Sequence, residues 1–289
     1  MWAIVINPIS GQGKGATYGM RVTSFFNSKG IEYRIVTGAS AEYTSRNLAA
    51  FLSQESDCTG VVAVGGDGLV HLVIQQLAQR KIPLAVIPAG TGNDTCRTLG
   101  WPLDNLELIL ESITTEKPQY IDLGVVDGEW FSAILSTGFD SVVNERANTF
   151  SWPRGRMKYN AAIARELLGF KPREYEIELD GRSYKTKAML IAIGNGVSYG
   201  GGMKVCPNAL LHDGLFEVMV LHPISTFEFL KVFPKVYSGT HVSHPAVKFF
   251  QCRRIRISSQ AVAYADGERV GPLPVQAEAV PSALLTWLR

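Results

Sequence analysis

From Trp2 to about Leu123, short apolar runs alternate with longer amphipathic segments. Runs of apolar, β-branched residues predict strands over 2–6, 31–36, 60–64 and 84–87. Between them, residues 16–27, 41–52 and 69–79 repeat their apolar positions at helical spacing. This β-α-β-α order predicts a parallel sheet covered by helices on both faces.

After Asp122 the pattern changes to alternating strands joined by tight turns, as in "GVVDGEWFSAIL" and "YEIELDGRSYKTKAMLIAIGNG". Asp127-Gly128 and Asp180-Gly181, each flanked by strand-like residues, are strong hairpin signals. The second half is therefore expected to be mainly antiparallel β. Segments 142–148, 157–168 and 225–237 read as helices set among the strands, the last despite Pro234. No internal repeat or low-complexity linker interrupts the chain. The expected domains are residues 1–123, rejoined by about 277–289, and residues 124–276.

Composition narrows the function classes. The 289 residues carry a formal net charge of +2 with no block of like charges, which argues against a nucleic-acid partner bound through its phosphates. Lys248, Phe249, Phe250, Arg253, Arg254 and Arg256 form one local basic-aromatic cluster, read as a strand with one wet face. Cys58, Cys96, Cys206 and Cys252 lack both C-x-x-C spacing and the density of a disulfide framework, so reduced thiols in a cytoplasmic protein are expected. The start "MWAIVINP" reads as a strand rather than a signal peptide. No apolar run approaches the roughly 20 residues needed to span a bilayer, so a membrane would be visited only from outside it.

The candidate chemistry lies in the turns. In "VVAVGGDGLVHLVIQQL", Gly65-Gly66-Asp67-Gly68 falls where a buried strand gives way to a helix, the edge at which open α/β sheets bind ligands. Glycines let a backbone approach phosphate closely, and the helix N-terminus favours its charge. Asp67 repels bare phosphate and suits Mg²⁺ or water beside one. In "LAVIPAGTGNDTCRTLG", Gly90, Thr91, Gly92, Asn93 and Asp94 follow another parallel strand and so emerge on the same edge. The turn "NPISGQGKG" fits the dinucleotide fingerprint only loosely, and Asn7, Ser10 and Gly11 are read instead as a polar wall beside a nucleotide. His241 and His244 have a metal-like separation without supporting ligands and are assigned to a surface loop near Pro245.

With Gly194-Asn195-Gly196, Gly200-Gly201-Gly202, Asp213-Gly214 and Asp266-Gly267-Glu268 added, the motifs along the whole chain resemble the diacylglycerol kinase catalytic family, soluble bacterial lipid kinases in particular. The resemblance implies an α/β fold in two lobes. An N-terminal lobe with a parallel sheet, like that of NAD kinase and phosphofructokinase, would bind ATP, and a C-terminal, mainly antiparallel β-sandwich lobe would bind lipid. It assigns Asn7, Ser10, Gly11, Gly65, Gly66, Asp67, Gly68, Gly90, Thr91, Gly92 and Asn93 to the ATP site. Asp67, Asp94 and Asp122 would form a hydrated acidic network around Mg²⁺, while Asp213 and the carbonyls of Leu210 and Leu215 would hold a second Mg²⁺. Glu268 would be the general base, with Asp67 and Asp266 completing the catalytic set. The implied acceptor is a membrane lipid, most readily diacylglycerol, met by transient peripheral contact with the inner face of the membrane; a homodimer stays open.

Leu69, His71 and Leu72 stand where the family usually carries Thr, Asn and Glu. His71 is read as a packing residue. The substitutions sustain one alternative, a nucleotide-binding pseudokinase with a regulatory role, and the shared glycine-aspartate loop sustains another, NAD kinase.

Overall fold

The computed structural model describes residues 1–149, 162, 163, 165–167 and 169–289. They form two compact units, Met1–Leu123 with Pro281–Arg289, and Gly124–Val280.

In the first unit β1 (Trp2–Ile6), α1 (Ser10–Ser28), β2 (Tyr33–Val36), α2 (Ala41–Gln54), β3 (Gly60–Gly65), α3 (Asp67–Leu77) and β4 (Leu84–Pro88) alternate along the chain. Two further helices follow, α4 (Asp94–Thr98) and α5 (Leu106–Thr115), and then β5 (Gln119–Val126). The four strands pair in parallel in the order β2-β1-β3-β4. Every residue of β3 is buried, which is why GVVAVG is continuously apolar rather than alternating: helices cover both of its faces. The four expected strands and three helices are present.

Most boundaries differ by no more than two residues, and the start of α1 differs by six. The helix expected from Ala16 has its first turn at Ser10, and Gly11, Gln12 and Gly13 interrupt it with left-handed dihedrals. Those three residues carry no apolar periodicity, so the pattern registers only the regular part beyond them.

The second unit is antiparallel. Its strands are β6 (Glu129–Phe131), β7 (Ile134–Gly138), β8 (Arg173–Leu179), β9 (Arg182–Ala188), β10 (Leu190–Gly194), β11 (Phe216–Leu221), β12 (Val247–Cys252), β13 (Arg254–Ser258), β14 (Val262–Ala265), β15 (Glu268–Pro272) and β16 (Val275–Thr286), the last continuing into the first unit. One sheet runs β12-β11-β10-β7-β14-β15, and β8, β9, β13 and the start of β16 form another. Tyr175 and Ile177 of β8, Ile255 of β13 and Ile191 and Ile193 of β10 share one buried cluster, which makes a β-sandwich. The other face of the six-stranded sheet packs Ala192 and Met219 against Phe139 and Phe229. Both faces of β11 are thus covered, and FEVMVL is apolar but for Glu217, whose buried carboxylate accepts from the Asn208 N–H at 2.9 Å and the Asn208 Nδ2 at 3.1 Å.

Asp127-Gly128 and Asp180-Gly181 close the β5–β6 and β8–β9 hairpins, all four residues at positive φ, the dihedral sign of a type I′ turn. Helix α6 (Phe139–Thr149) contains the segment expected at 142–148. Of the helix expected over 157–168, residues 157–161, 164 and 168 lie outside the described residues; 162, 163 and 165–167 are helical. The third expected helix is α only over Thr226–Val232, here α7, and tightens to a 3-10 turn at Phe233–Val236. Pro234, lacking an N–H, ends the α-helical hydrogen bonding there.

Candidate active site

The carboxyl edge of the first unit's sheet gathers the glycine turns. Gly66 and Gly90 touch: a Cβ built on Gly90 would lie 2.3 Å from the Gly66 Cα, and one on Gly66 would lie 3.5 Å from the Ser10 Oγ. Gly11 approaches the same strand end, its absent Cβ falling 2.3 Å from the Ala89 carbonyl oxygen. Three turns that are 79 residues apart from first to last (Gly11 to Gly90) therefore converge only because these positions carry no side chain.

Asp67 ties two of the turns together. Its Oδ2 accepts the Asn93 N–H at 2.7 Å and its Oδ1 accepts those of Asp94 at 2.7 Å and Thr95 at 3.3 Å. The carboxylate at the start of α3 thereby caps the start of α4. Asn93, left-handed at φ 56°, closes its own loop: its Oδ1 accepts the Gly90 N–H at 2.8 Å while its Nδ2 donates to the Gly90 carbonyl at 2.9 Å. Thr91 is exposed at the crest of that loop and Gly68 lies in the first turn of α3. Asn7 follows β1 and donates its N–H to Val64 at 3.0 Å.

Oxygen donors surround one small space. A Cβ on Gly92 would lie 2.5 Å from Asp67 Oδ2 and 3.2 Å from Asp94 Oδ2, so both carboxylates border the volume that this glycine leaves open. Carboxylate oxygens are what a hard cation such as Mg²⁺ takes, and the donor set fits it. Asp122 is buried on β5 and accepts the Ser282 N–H at 2.9 Å. Among the described residues no three Asp, Glu, His or Cys side chains come together as a ready metal-ligand group. Asp67, Asp94 and Asp122 thus do not make a direct three-carboxylate site, and a cation here needs water in its shell. Cys96, buried close to Asp67, has its thiol pushed up to about 12 by burial first and by that negative charge second.

Of the residues that depart from the family pattern, Leu69 and His71 are buried and Leu72 is half-buried. Leu69 is 8% exposed, and a Cβ on Gly65 would lie 2.6 Å from its Cδ2, so this leucine fills the space that Gly65 leaves. His71 is buried, with Gln75 donating to its backbone carbonyl at 3.1 Å. His241 is buried as well, its Nε2 3.1 Å from the Val205 carbonyl oxygen, rather than on a surface loop; His244 pairs with Glu228 at 3.1 Å.

In the second unit Asp266 and Gly267 form the two-residue turn between β14 and β15, both at positive φ. The Asp266 carboxylate accepts the N–H groups of Ser132 at 2.7 Å, Ala133 at 2.9 Å and Ile134 at 3.1 Å, and the Ser132 hydroxyl at 3.1 Å. Asn195 fastens the same segment, its N–H donating to the Ala133 carbonyl at 3.0 Å and its Nδ2 to the Ser132 carbonyl at 2.9 Å. Glu268 follows this turn as the first residue of β15 and is exposed to solvent. The expected catalytic pair thus divides: Glu268 presents an open carboxylate, and Asp266 holds the turn that carries it. Next along β15, Arg269 pairs with Glu145 of α6 at 2.8 Å, and Glu145 also accepts the Tyr264 hydroxyl at 3.0 Å. Sequence reading missed this brace, because Glu145 precedes Arg269 by 124 positions.

Asp213 and Leu215 form a tight turn, the Leu215 N–H donating to Asp213 Oδ1 at 3.0 Å, with Asp213 and Leu210 both exposed. The basic-aromatic cluster is not one strand: Lys248, Phe249 and Phe250 lie on β12 of one sheet, Arg254 and Arg256 on β13 of the other, with Arg253 between them, and Arg253 and Arg254 both pair with Glu278.

Residues 1–126 match the family described as the diacylglycerol kinase catalytic domain, and residues 133–287 the YegS C-terminal NAD kinase beta sandwich-like domain. A diacylglycerol kinase of Mycobacterium tuberculosis is 35% identical over 285 residues, 96% of this chain and 92% of that one. The chain belongs to the diacylglycerol kinase catalytic family. A Bacillus subtilis diacylglycerol kinase is 28% identical over 94% of this chain and 90% of its own length. The crystal structure of a Bacillus anthracis protein assigned as a diacylglycerol kinase superimposes with a TM-score of 0.79 at 21% identity, covering 100% of this chain and 96% of that one, which shows the shared fold. Within the diacylglycerol kinase family, the glycine turns and Asp67 are the parts that sequence reading located; the Asn93 clasp and the Asp266 clamp are side-chain geometry that it did not.

Proposed function

We propose that this lipid kinase transfers the γ-phosphoryl group of ATP to a lipid hydroxyl, with diacylglycerol as acceptor and phosphatidic acid as product. The observation that carries the reading is the contact of Gly66 with Gly90 beneath two carboxylates, Asp67 and Asp94. Backbone brought that close together leaves N–H groups, rather than side chains, to meet a polyphosphate. Asp67 orders the second loop by accepting three of its amides. Asp67 and Asp94, with Asp122, are the residues that would hold a hydrated Mg²⁺, which when bound neutralises phosphate charge. Asp213 with the carbonyls of Leu210 and Leu215 offers the oxygen donors for a second such ion.

A lipid hydroxyl is a weak nucleophile at neutral pH, and Glu268 accepts its proton as general base. The clamp of four hydrogen bonds on Asp266 keeps Glu268 in a fixed turn. A positioned base of this kind contributes about 10² to 10⁴-fold.

The test is incubation of the protein with labelled ATP, Mg²⁺, NAD and mixed micelles holding diacylglycerol, sphingoid, glycolipid and polyprenol acceptors. Label in phosphatidic acid is the expected result. Label in no lipid favours the pseudokinase, and label only in NAD establishes the NAD kinase reading. Glu268→Gln is expected to lower turnover about 10² to 10⁴-fold while ATP affinity holds.

A further inference from the structure

The α7 helix presents its partly apolar face to solvent. Phe227 is 68% exposed and Leu230 57%, whereas Phe229 and Val232 are buried against the second unit's core. In α7 the exposed positions 227, 230 and 231 fall at i, i+3 and i+4 on one stripe, and Pro234 and Lys235 are exposed on the 3-10 turn that follows. The segment is firmly seated. Ser225 caps α7 by accepting the Glu228 N–H at 3.2 Å, and the Phe229 ring packs edge-on to Phe139 and stacks on Phe233. Large apolar side chains fixed outward, not mobile ones in passing exposure, therefore need an account.

Charge selects the occupant. Lys231 is exposed on the same stripe and Lys235 on the turn that continues it, with the Lys231 Nζ 4.3 Å from the centre of the Phe227 ring. The one carboxylate between Ser225 and Tyr237, Glu228, is paired with His244. The stripe is thus apolar and cationic, the combination that inserts at the headgroup boundary of an anionic bilayer. A second copy of the chain fits less well. A stable protein interface buries about 800 Å² on each side, and Phe227 and Leu230 supply only a fraction of that. A bilayer demands no complementary shape.

We infer that Phe227, Leu230, Lys231 and Lys235 form a docking surface for anionic phospholipid membranes. This rests on the lipid-kinase reading for its purpose, but its test does not need lipid phosphorylation. The full chain is sedimented with vesicles of phosphatidylcholine alone and of phosphatidylcholine mixed with phosphatidylglycerol. Wild type is expected to partition onto the mixed vesicles. Phe227→Ser with Leu230→Ser is expected to weaken that partitioning about tenfold or more, from the apolar area withdrawn. Lys231→Glu with Lys235→Glu is expected to weaken it on mixed vesicles and leave the slight binding to phosphatidylcholine unchanged. All these side chains are exposed, so melting temperatures should match wild type. Wild-type partitioning by either variant overturns the inference, as does failure of wild type to bind mixed vesicles. Dimerisation that the Phe227 and Leu230 changes abolish while vesicle binding persists overturns it too. Phosphorylation of a short-chain diacylglycerol dispersed below its micelle concentration should survive both variants. Vesicle binding that depends on these residues supports the inference even where no lipid is phosphorylated, so the two readings fail in different measurements.

Discussion

At the residue scale, Leu69 shows how packing replaces chemistry at a position where the family usually carries a hydroxyl. Its side chain fills the space above Gly65 and is 8% exposed. Leu69→Thr should therefore cost about 1–3 kcal/mol from lost burial, measured by urea unfolding, with no gain in turnover. A gain in turnover at unchanged stability would show instead that a hydroxyl is wanted there. Asp140 poses the opposite problem, a half-buried carboxyl in the second unit. Ser136 donates to it at 2.5 Å and Asn144 at 3.3 Å, yet burial outweighs these bonds and pushes its pKa up. The folded form thus disfavours the ionised state. Stability from this group is greatest below the ordinary aspartate range and falls as pH rises through the raised value, with the full penalty present above it. Asp140→Asn should flatten that decline in a series of denaturation curves from acid to neutral pH. A difference between variant and wild type that does not change with pH would contradict it. Neither residue's role is legible in sequence, since both depend on neighbours that only the fold supplies.

At the element scale, the three hairpin Asp-Gly turns share a device. Asp127 accepts the Gln276 N–H, Asp180 those of Arg253 and Arg254, and Asp266 those of Ser132, Ala133 and Ile134. Each carboxylate leaves its own hairpin and satisfies backbone donors of another segment. The turns were readable because Asp-Gly suits two successive positive φ values. The clamps were not, because their partners lie 149, 73 and 134 positions away. The α1 start escaped for a different reason: Gly11, Gln12 and Gly13 take left-handed dihedrals that periodicity does not register. Asp266→Ala should strand the donors of residues 132–134 and destabilise the second unit by about 2–4 kcal/mol, the scale of lost bonds to a charged acceptor. Turnover should fall with it while ATP affinity stays, because Glu268 then loses its fixed turn. Unchanged stability would show that water replaces the carboxylate.

At the scale of the whole molecule, the chain enters the second unit after Leu123 and returns to the first at Pro281. The nine returning residues are firmly placed in the first unit. Thr286 pairs with Leu84 beside β4, the Arg289 N–H donates to Leu99 at 3.0 Å, and the Trp101 Nε1 donates to the Trp287 carbonyl at 2.9 Å. Trp287 is 4% exposed and stacks on Trp2 of β1, ring centres 6.1 Å apart. A residue near the end of the chain is thus part of the core beneath the glycine turns. Trp287→Ala should cost about 3–5 kcal/mol, a large share of the 5–15 kcal/mol typical of a whole protein. Trp287 contributes to that core and stacks on Trp2 at the start of β1, the end of that strand away from the glycine turns, so ATP with Mg²⁺ should still stabilise the variant. At a hundredfold excess over the dissociation constant the gain is about 2.7 kcal/mol, the same for variant and wild type. Thermal unfolding with and without nucleotide measures both increments. Equal increments on a lowered baseline place Trp287 in the scaffold alone, whereas an increment lost only in the variant would make the returning segment part of the nucleotide site.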